Sequence, residues 1–350
     1  MSSQLPLKGL QVTELRAIGP VPFAGMLLRQ LGADVTLINA PGSANLGLPV
    51  KPEFDLLAAG KSVIELDLKT DAGLTALHEH LADTDVLLEG FRSGVMERLN
   101  ISPAALMQKN PRLIIGRLSG FGESGPLAAR AGHDINYLAL SGVLHAIGTE
   151  QSPVVPINLI GDFGGGAMHL LVGILAKLVE RSLNNAGGIV TTSILAGTIG
   201  LTPMLYSLLA DKQWQTDRLN NLLDGAAPFY RVYKTLDSRF IAVGALEPKF
   251  FKQLLVLMQL EDTIDADDQY QRSTWPEMRN QLARCFAERD RDDWANDAQY
   301  LDCCVTPVLD IIEASHHVHN SANNWYTAVP FKQPKPVIEF SSNHLSAKKR

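Results

Sequence analysis

Charge is scarce in this chain. Of its 350 residues only 19% are Asp, Glu, Lys or Arg, against about a quarter in ordinary soluble domains. The balance is slightly acidic, 37 carboxylates against 31 Lys and Arg for a net −6, which excludes the basic excess of a nucleic-acid binder. Such sparse charge implies that much surface is buried, in a large core or against a partner subunit. Cysteine is rarer still: Cys285, Cys303 and Cys304 give neither a disulfide framework nor a Cys-x-x-Cys spacing, and the expectation is reduced thiols in the cytoplasm. The start, Met1 to Lys8, lacks the charged-then-apolar order of a secretory leader. Ala186 to Ala210 contains no charge and is long enough for a bilayer. It opens on Gly187-Gly188 and carries Thr191, Thr192, Ser193, Thr198, Thr202 and Pro203, so it reads as a buried strand and helix, and no membrane partner is expected.

Hydrophobic residues make up 46% of the chain, which excludes disorder, and the length suggests two domains. The first part alternates strand and helix. Strands are expected at Leu10–Leu15, Val35–Ile38, Ser62–Leu66, Asp85–Leu88 and Arg112–Ile115. Between them lie helices at Pro22–Leu31 and Ala72–Leu81 and short helices from Gly94 and Pro103. This order predicts a parallel sheet covered on both faces, with ligands beyond the carboxyl ends of its strands. From about Ile135 to Leu209 the pattern is helical and apolar. After Asp224 it changes to a hairpin, Phe229–Lys234 and Phe240–Val243, then charged helices near Pro248–Met258, Trp275–Arg289 and Asp292–Gln299. The fold class is therefore α/β: a Rossmann-like large domain over 1–210, completed by 325–350, a linker at 211–224, and a small α+β domain over 225–324.

Several motif matches lead nowhere. Gly120-Phe-Gly122-Glu-Ser-Gly125 spells a dinucleotide fingerprint, but Pro126 follows where a helix must open. Ala59-Gly-Lys61-Ser62 ends like a phosphate loop, but Asp55 stands at its leading glycine. There is no Gly-x-Ser-x-Gly elbow. His316, His317 and His319 lack a carboxylate at helical spacing, so no metal site is expected.

Three segments remain. His133, after Gly132 and before an apolar helix, is a candidate general base, although it or Asp134 could simply cap that helix. Asp162 precedes Gly164-Gly165-Gly166 at an expected N-cap. Three glycines in a first turn cost roughly 1 kcal/mol each against alanine. Either a ligand approaches the bare backbone, where N–H groups favour an anion, or two helices pack closely. His169, further along that helix, reads as a packed side chain. Glu247 at a strand end before Pro248 could cap its helix or join a site.

Taken together these segments resemble the family III CoA-transferases. The likeness runs nearly end to end: Glu14-Leu15 with Ile18-Gly-Pro20, Leu31-Gly-Ala-Asp-Val35, Glu89-Gly-Phe-Arg92-Ser-Gly-Val95, Gly132-His-Asp-Ile-Asn-Tyr137, Gly161-Asp-Phe-Gly-Gly-Gly166, Asp224 to Tyr230 and Val243 to Pro248. Within the family it is similar to members that racemise or epimerise 2-methylacyl-CoA thioesters. That resemblance implies an interlocked homodimer and an acid/base pair, His133 and Asp162, on opposite faces of the substrate α-carbon. Glu247 would tune the pair, and Ile18, Gly122, Tyr137, Gly164 and Gly165 would line the substrate site. The family's arginines beside the second strand and Gly60 are replaced here, leaving Lys61, Arg92 and Arg117 as the cations for the CoA phosphates. CoA enters as part of the substrate, and no separate cofactor or metal is expected. Two alternatives stay open: a CoA-transferase with Asp162 as nucleophile, and a weakly active acyl-CoA-binding dimer.

Overall fold

The computed structural model describes residues 5–42 and 50–341. The chain forms two compact units. The first takes the described residues of Met1–Leu144, Val155–Pro203 and Ile338–Arg350; the second takes His145–Val154 and Met204–Val337.

The first unit is built on six parallel strands: β1 (Gln11–Leu15), β2 (Asp34–Asn39), β3 (Ser62–Glu65), β4 (Val86–Glu89), β5 (Ile114–Ser119) and β6 (Gly188–Ser193). Their order is β3-β2-β1-β4-β5-β6. Crossovers therefore reverse direction between β1 and β4, the place where doubly wound sheets open a crevice. Helix α1 (Pro20–Gln30) connects β1 to β2, α2 (Asp71–Leu81) connects β3 to β4, and α3 (Val95–Arg98) and α4 (Pro103–Lys109) lie between β4 and β5. Strand alternation divides the core. Val12, Val86, Leu88, Ile114 and Leu118 face one side, and Leu15, Leu87, Leu113 and Ile115 face the other, so the sheet is apolar on both faces, as a covered parallel sheet must be.

β5 is displaced from the expected Arg112–Ile115. It runs through Gly116, Arg117, Leu118 and Ser119, paired with Gly188–Ser193 of β6. Gly116 belongs there because a Cβ would stand 2.8 Å from Ile174 Cδ1; the helix crossing the strand leaves no room for one. That helix is α7 (Met168–Asn184), preceded by α5 (Asp134–Ser141), α6 (Val143–Ala146) and a π-helical turn at Ile160–Ala167, and followed by β6 and α8 (Ile194–Gly200). The uncharged run after Ala186 is thus a strand and short helices. Among the described residues, the helical run long and apolar enough to span a bilayer is Ile157–Asn184, which packs Leu170, Leu171 and Ile174 into the core.

The second unit includes α9 (Pro203–Ala210) from Met204 onward and carries an antiparallel sheet, β7 (Tyr230–Lys234), β8 (Phe240–Gly244) and β9 (Val305–Pro307), with β8 central. Helices α10 (Pro248–Met258), α11 (Trp275–Phe286) and α12 (Arg291–Ala298) cover it. Its core is aromatic: Phe229 meets Phe251, Tyr270 and Trp275 edge-on, and Phe286 packs on Tyr233 and Trp294. Its extent differs from the expected 225–324. None of the α9 side chains is fully buried, and residues 204–210 belong with this unit, as do 325–337. His145–Val154 belong there too, held by Arg218, which donates to the carbonyls of His145 (3.0 Å) and Thr149 (2.7 Å).

Candidate active site

A cleft of about 260 Å³ opens at the carboxyl ends of β1, β4 and β5, at the switch point of the sheet. Its walls are the Ile18–Val21 turn, Gly90–Arg92 after β4, Ser119–Phe121 at the end of β5, the loop through Arg130, the start of α5, and Asp162. His133 and Asp162, read from separate segments, thus line one cavity.

His133 occupies the N-cap position of α5 with an extended backbone, φ −129° and ψ 173°. The Asn136 side chain accepts from its N–H at 3.0 Å. The residue is exposed and its side chain is on the cleft wall. Cap and cleft residue are therefore the same residue, one through its main chain and the other through its imidazole.

Asp162 is not an N-cap. It is the third residue of the π-helical turn Ile160–Ala167, and its own N–H donates to Asp134 Oδ1 at 2.7 Å. Its carboxylate lies against Gly19, where a Cβ would stand 3.0 Å from Oδ2; Gly19 also takes φ +69°, so a side chain there would be both strained and crowding. The only hydrogen bond to the carboxylate among the described residues is from Asn158 Nδ2, at 3.4 Å. Burial, with the Asp134 charge beside it, pushes the Asp162 carboxyl up to about 6. A carboxyl at that value can hold or release a proton near neutrality.

The glycine run after Asp162 serves packing more than binding. A Cβ on Gly165 would lie 2.7 Å from Thr198 N, and one on Gly197 only 1.8 Å from Gly165 O, so the turn and α8 touch backbone to backbone. Gly164 and Gly165 are not among the cleft residues, nor is Gly122. Ile18, Tyr137 and Arg92 are. The Tyr137 hydroxyl donates to Gly132 O at 2.6 Å, and burial, with the negative charge of Asp162 adding to it, raises its pKa to about 12. It holds the loop and acts as a neutral wall.

Two expected phosphate cations are spent elsewhere. The Lys61 side chain is 1% exposed; its ammonium pairs with Glu14 at 2.6 Å and donates to Pro22 O. Gly25 makes room for this pair, since a Cβ there would collide with Glu14 Oε2. Arg117 sits among three carboxylates, Glu89 at 2.7 Å, Glu123 at 3.3 Å and Glu97 at 3.6 Å, because β4–β5 pairing puts Glu89 directly opposite it. Neither lines the cleft.

Two residues that sequence reasoning missed, Arg130 and Ser119, line it together with the expected Arg92. Arg130 and Arg92 are exposed cleft residues, and among the described residues neither guanidinium has an ion pair. Ser119 is 5% exposed, with a buried hydroxyl lacking a partner. A serine ending an apolar central strand was the available signal for the latter. Arg130 sits in the loop recognised only as a failed fingerprint. Glu247 belongs to the second unit; it is exposed and stands at the start of α10, where its carbonyl accepts from Phe250 and Phe251. Among the described residues no three His, Cys, Asp or Glu side chains are placed to hold a metal.

Comparison with known proteins places this geometry in context. The family model described as CoA-transferase family III matches residues 7–349. Alpha-methylacyl-CoA racemase from Mus musculus is 42% identical over 348 residues, covering 98% of this chain and 89% of that protein. The Homo sapiens protein of the same name is 41% identical over 317 residues, covering 90% and 81%. A CAIB/BAIF family protein from Brucella suis has the same fold, with a TM-score of 0.81 over 97% of this chain and 93% of that one at 21% identity.

Proposed function

Because the chain belongs to CoA-transferase family III, matched over residues 7–349, we propose that it racemises 2-methylacyl-CoA thioesters, with His133 and Asp162 as its two proton-transfer groups. The observation that carries this reading is the cleft itself: an imidazole and a carboxyl raised to about 6 line one cavity. Relatives named as racemases at 41–42% identity support it.

The reaction leaves the total number of protons on the pair unchanged. One group removes the α-proton, the electron pair delocalises onto the thioester oxygen as an enolate, and the other group delivers a proton to the opposite face. The next turnover starts with the protonation states exchanged. A single base tends to return the proton to the face it left, so two are required. Groups in dissimilar surroundings can hold opposite protonation states at one pH. The N–H groups of Asp134 and Ile135, next to the cleft residue His133 at the start of α5, are the donors proposed for the enolate oxygen, since Asp134 already engages the N–H of Asp162.

The unpaired Arg92 and Arg130 are the cations proposed for the CoA phosphates, in place of Lys61 and Arg117. Glu247 keeps the role that family membership implies, tuning the proton-transfer pair. An interlocked homodimer is part of the same proposal. What supports it is an apolar stripe on α7, with Val172, Val179 and Leu183 at 63%, 64% and 84% exposed, on a helix whose other face is in the core.

The test is α-proton exchange in deuterated buffer, on a panel of 2-methylacyl-CoA esters of each configuration. Deuterium incorporation with inversion, in the absence of any CoA acceptor, is the expected result. Transfer of CoA to a free acid, with Asp162 trapped by hydroxylamine, would instead favour the transferase that the same carboxylate could support.

A further inference from the structure

Asp134 is a buried carboxylate that the proposed chemistry does not use. It is 8% exposed and is the first residue of α5, immediately after His133. Its Oδ1 accepts from the N–H of Asp162 at 2.7 Å. Its Oδ2 is buried without a partner. One side chain thus joins the helix that presents His133 to the turn that presents Asp162. The turn is shaped to receive it: a Cβ on Gly161 would stand 2.3 Å from Asp134 Oδ1 and 3.1 Å from its carboxyl carbon.

We propose that Asp134 is a positioning residue, whose carboxylate fixes the separation and orientation of His133 and Asp162 and places a negative charge beside the latter. The proposal rests on the racemase reading of this cleft. Inversion requires both groups aligned on opposite faces of one carbon, whereas exchange with retention requires only one. A misplacement of about 1 Å can cost about 100-fold in rate. Loosening the strut therefore lowers inversion more than exchange. The charge acts separately. The other titratable or charged groups near Asp162 are His133 and Tyr137 from α5, with Arg92 from the loop after β4 facing Tyr137. Of these, Asp134 is a charge that opposes ionisation of Asp162, and the buried, partnerless Oδ2 leaves that charge poorly compensated.

The experiment compares Asp134→Asn, Asp134→Ala and Gly161→Ala with the unaltered enzyme. Inversion and α-deuterium exchange are followed together, and the Asp162 carboxyl is titrated by carbon-13 NMR without substrate. In Asp134→Asn the amide oxygen still accepts, so the inversion-to-exchange ratio should stay within about threefold while the Asp162 midpoint falls. In Asp134→Ala, and in Gly161→Ala where the new methyl displaces the carboxylate, the ratio should drop at least tenfold. If Asp134→Ala does not fold, Gly161→Ala decides. A folded variant lacking the contact with an unchanged ratio would overturn the proposal, as would an unmoved Asp162 midpoint in Asp134→Asn. An unaltered enzyme that exchanges no α-proton would overturn the racemase reading instead, and the titration would still decide whether Asp134 acts on Asp162.

Discussion

Two parts of the first unit treat charge in opposite ways. Beneath α1, and between β4 and β5, every buried charge is compensated: Lys61 by Glu14, Arg117 by Glu89 with two further carboxylates. At the cleft, compensation is withheld. Asp162 has one long hydrogen bond and a carboxylate for a neighbour, Ser119 has an unused hydroxyl, and Arg92 and Arg130 have no ion partner among the described residues. The paired charges hold the framework, while the unpaired ones are available to a ligand.

The contrast breaks most sharply at the acid/base pair. His133→Ala and Asp162→Ala should each reduce racemisation by at least about 1000-fold, within the range expected for a positioned general acid or base, and both should fold. Circular dichroism with a chiral assay checks this. The framework side should respond in the reverse sense. Lys61→Met strands a buried carboxylate and should cost about 3–5 kcal/mol in a denaturant titration, with KM for the thioester changed less than twofold in the protein that remains folded. A large KM change with undiminished stability would erase the distinction.

Much of this was legible beforehand. Period and capping signals found the sheet, α10 and the hairpin of the second unit, and the two segments bearing His133 and Asp162 stood out by composition. What escaped notice was set by pairing in space. Lys61 and Arg117 look like free cations in sequence; Glu14 and Glu89 are distant along the chain, and only the fold brings each to its cation, in the case of Arg117 through strand register. Asp162 looks like a cap because a π-helical turn has no separate sequence signature. The glycines after it proved to serve the contact of the turn with α8, and Arg130 hid in a loop whose fold is irregular.

Smaller effects sharpen the comparison. Arg92→Ala and Arg130→Ala should each raise KM for the CoA thioester about tenfold, as loss of a hydrogen bond to a charged group does, and much less for a pantetheine thioester without the nucleotide. Equal effects on both substrates would remove these arginines from the phosphate site. The smallest effect is on stability. Because the Asp162 carboxyl is raised to about 6, its favourable contribution is complete below the unfolded value near 4 and is lost as pH rises through about 6. Asp162→Asn should therefore be more stable than the parent at pH 8, by on the order of 1 kcal/mol after allowance for solvent screening, and indistinguishable near pH 4. Thermal melts at the two pH values read this difference.

The two-base assignment is tested most directly by following α-deuterium exchange of each enantiomer separately in His133→Ala and Asp162→Ala. Each variant should lose exchange with the enantiomer whose proton faces the missing group and keep it with the other, the two patterns being complementary, with no inversion in either. Loss of exchange on the same enantiomer in both variants, or full racemisation in either, would contradict the account.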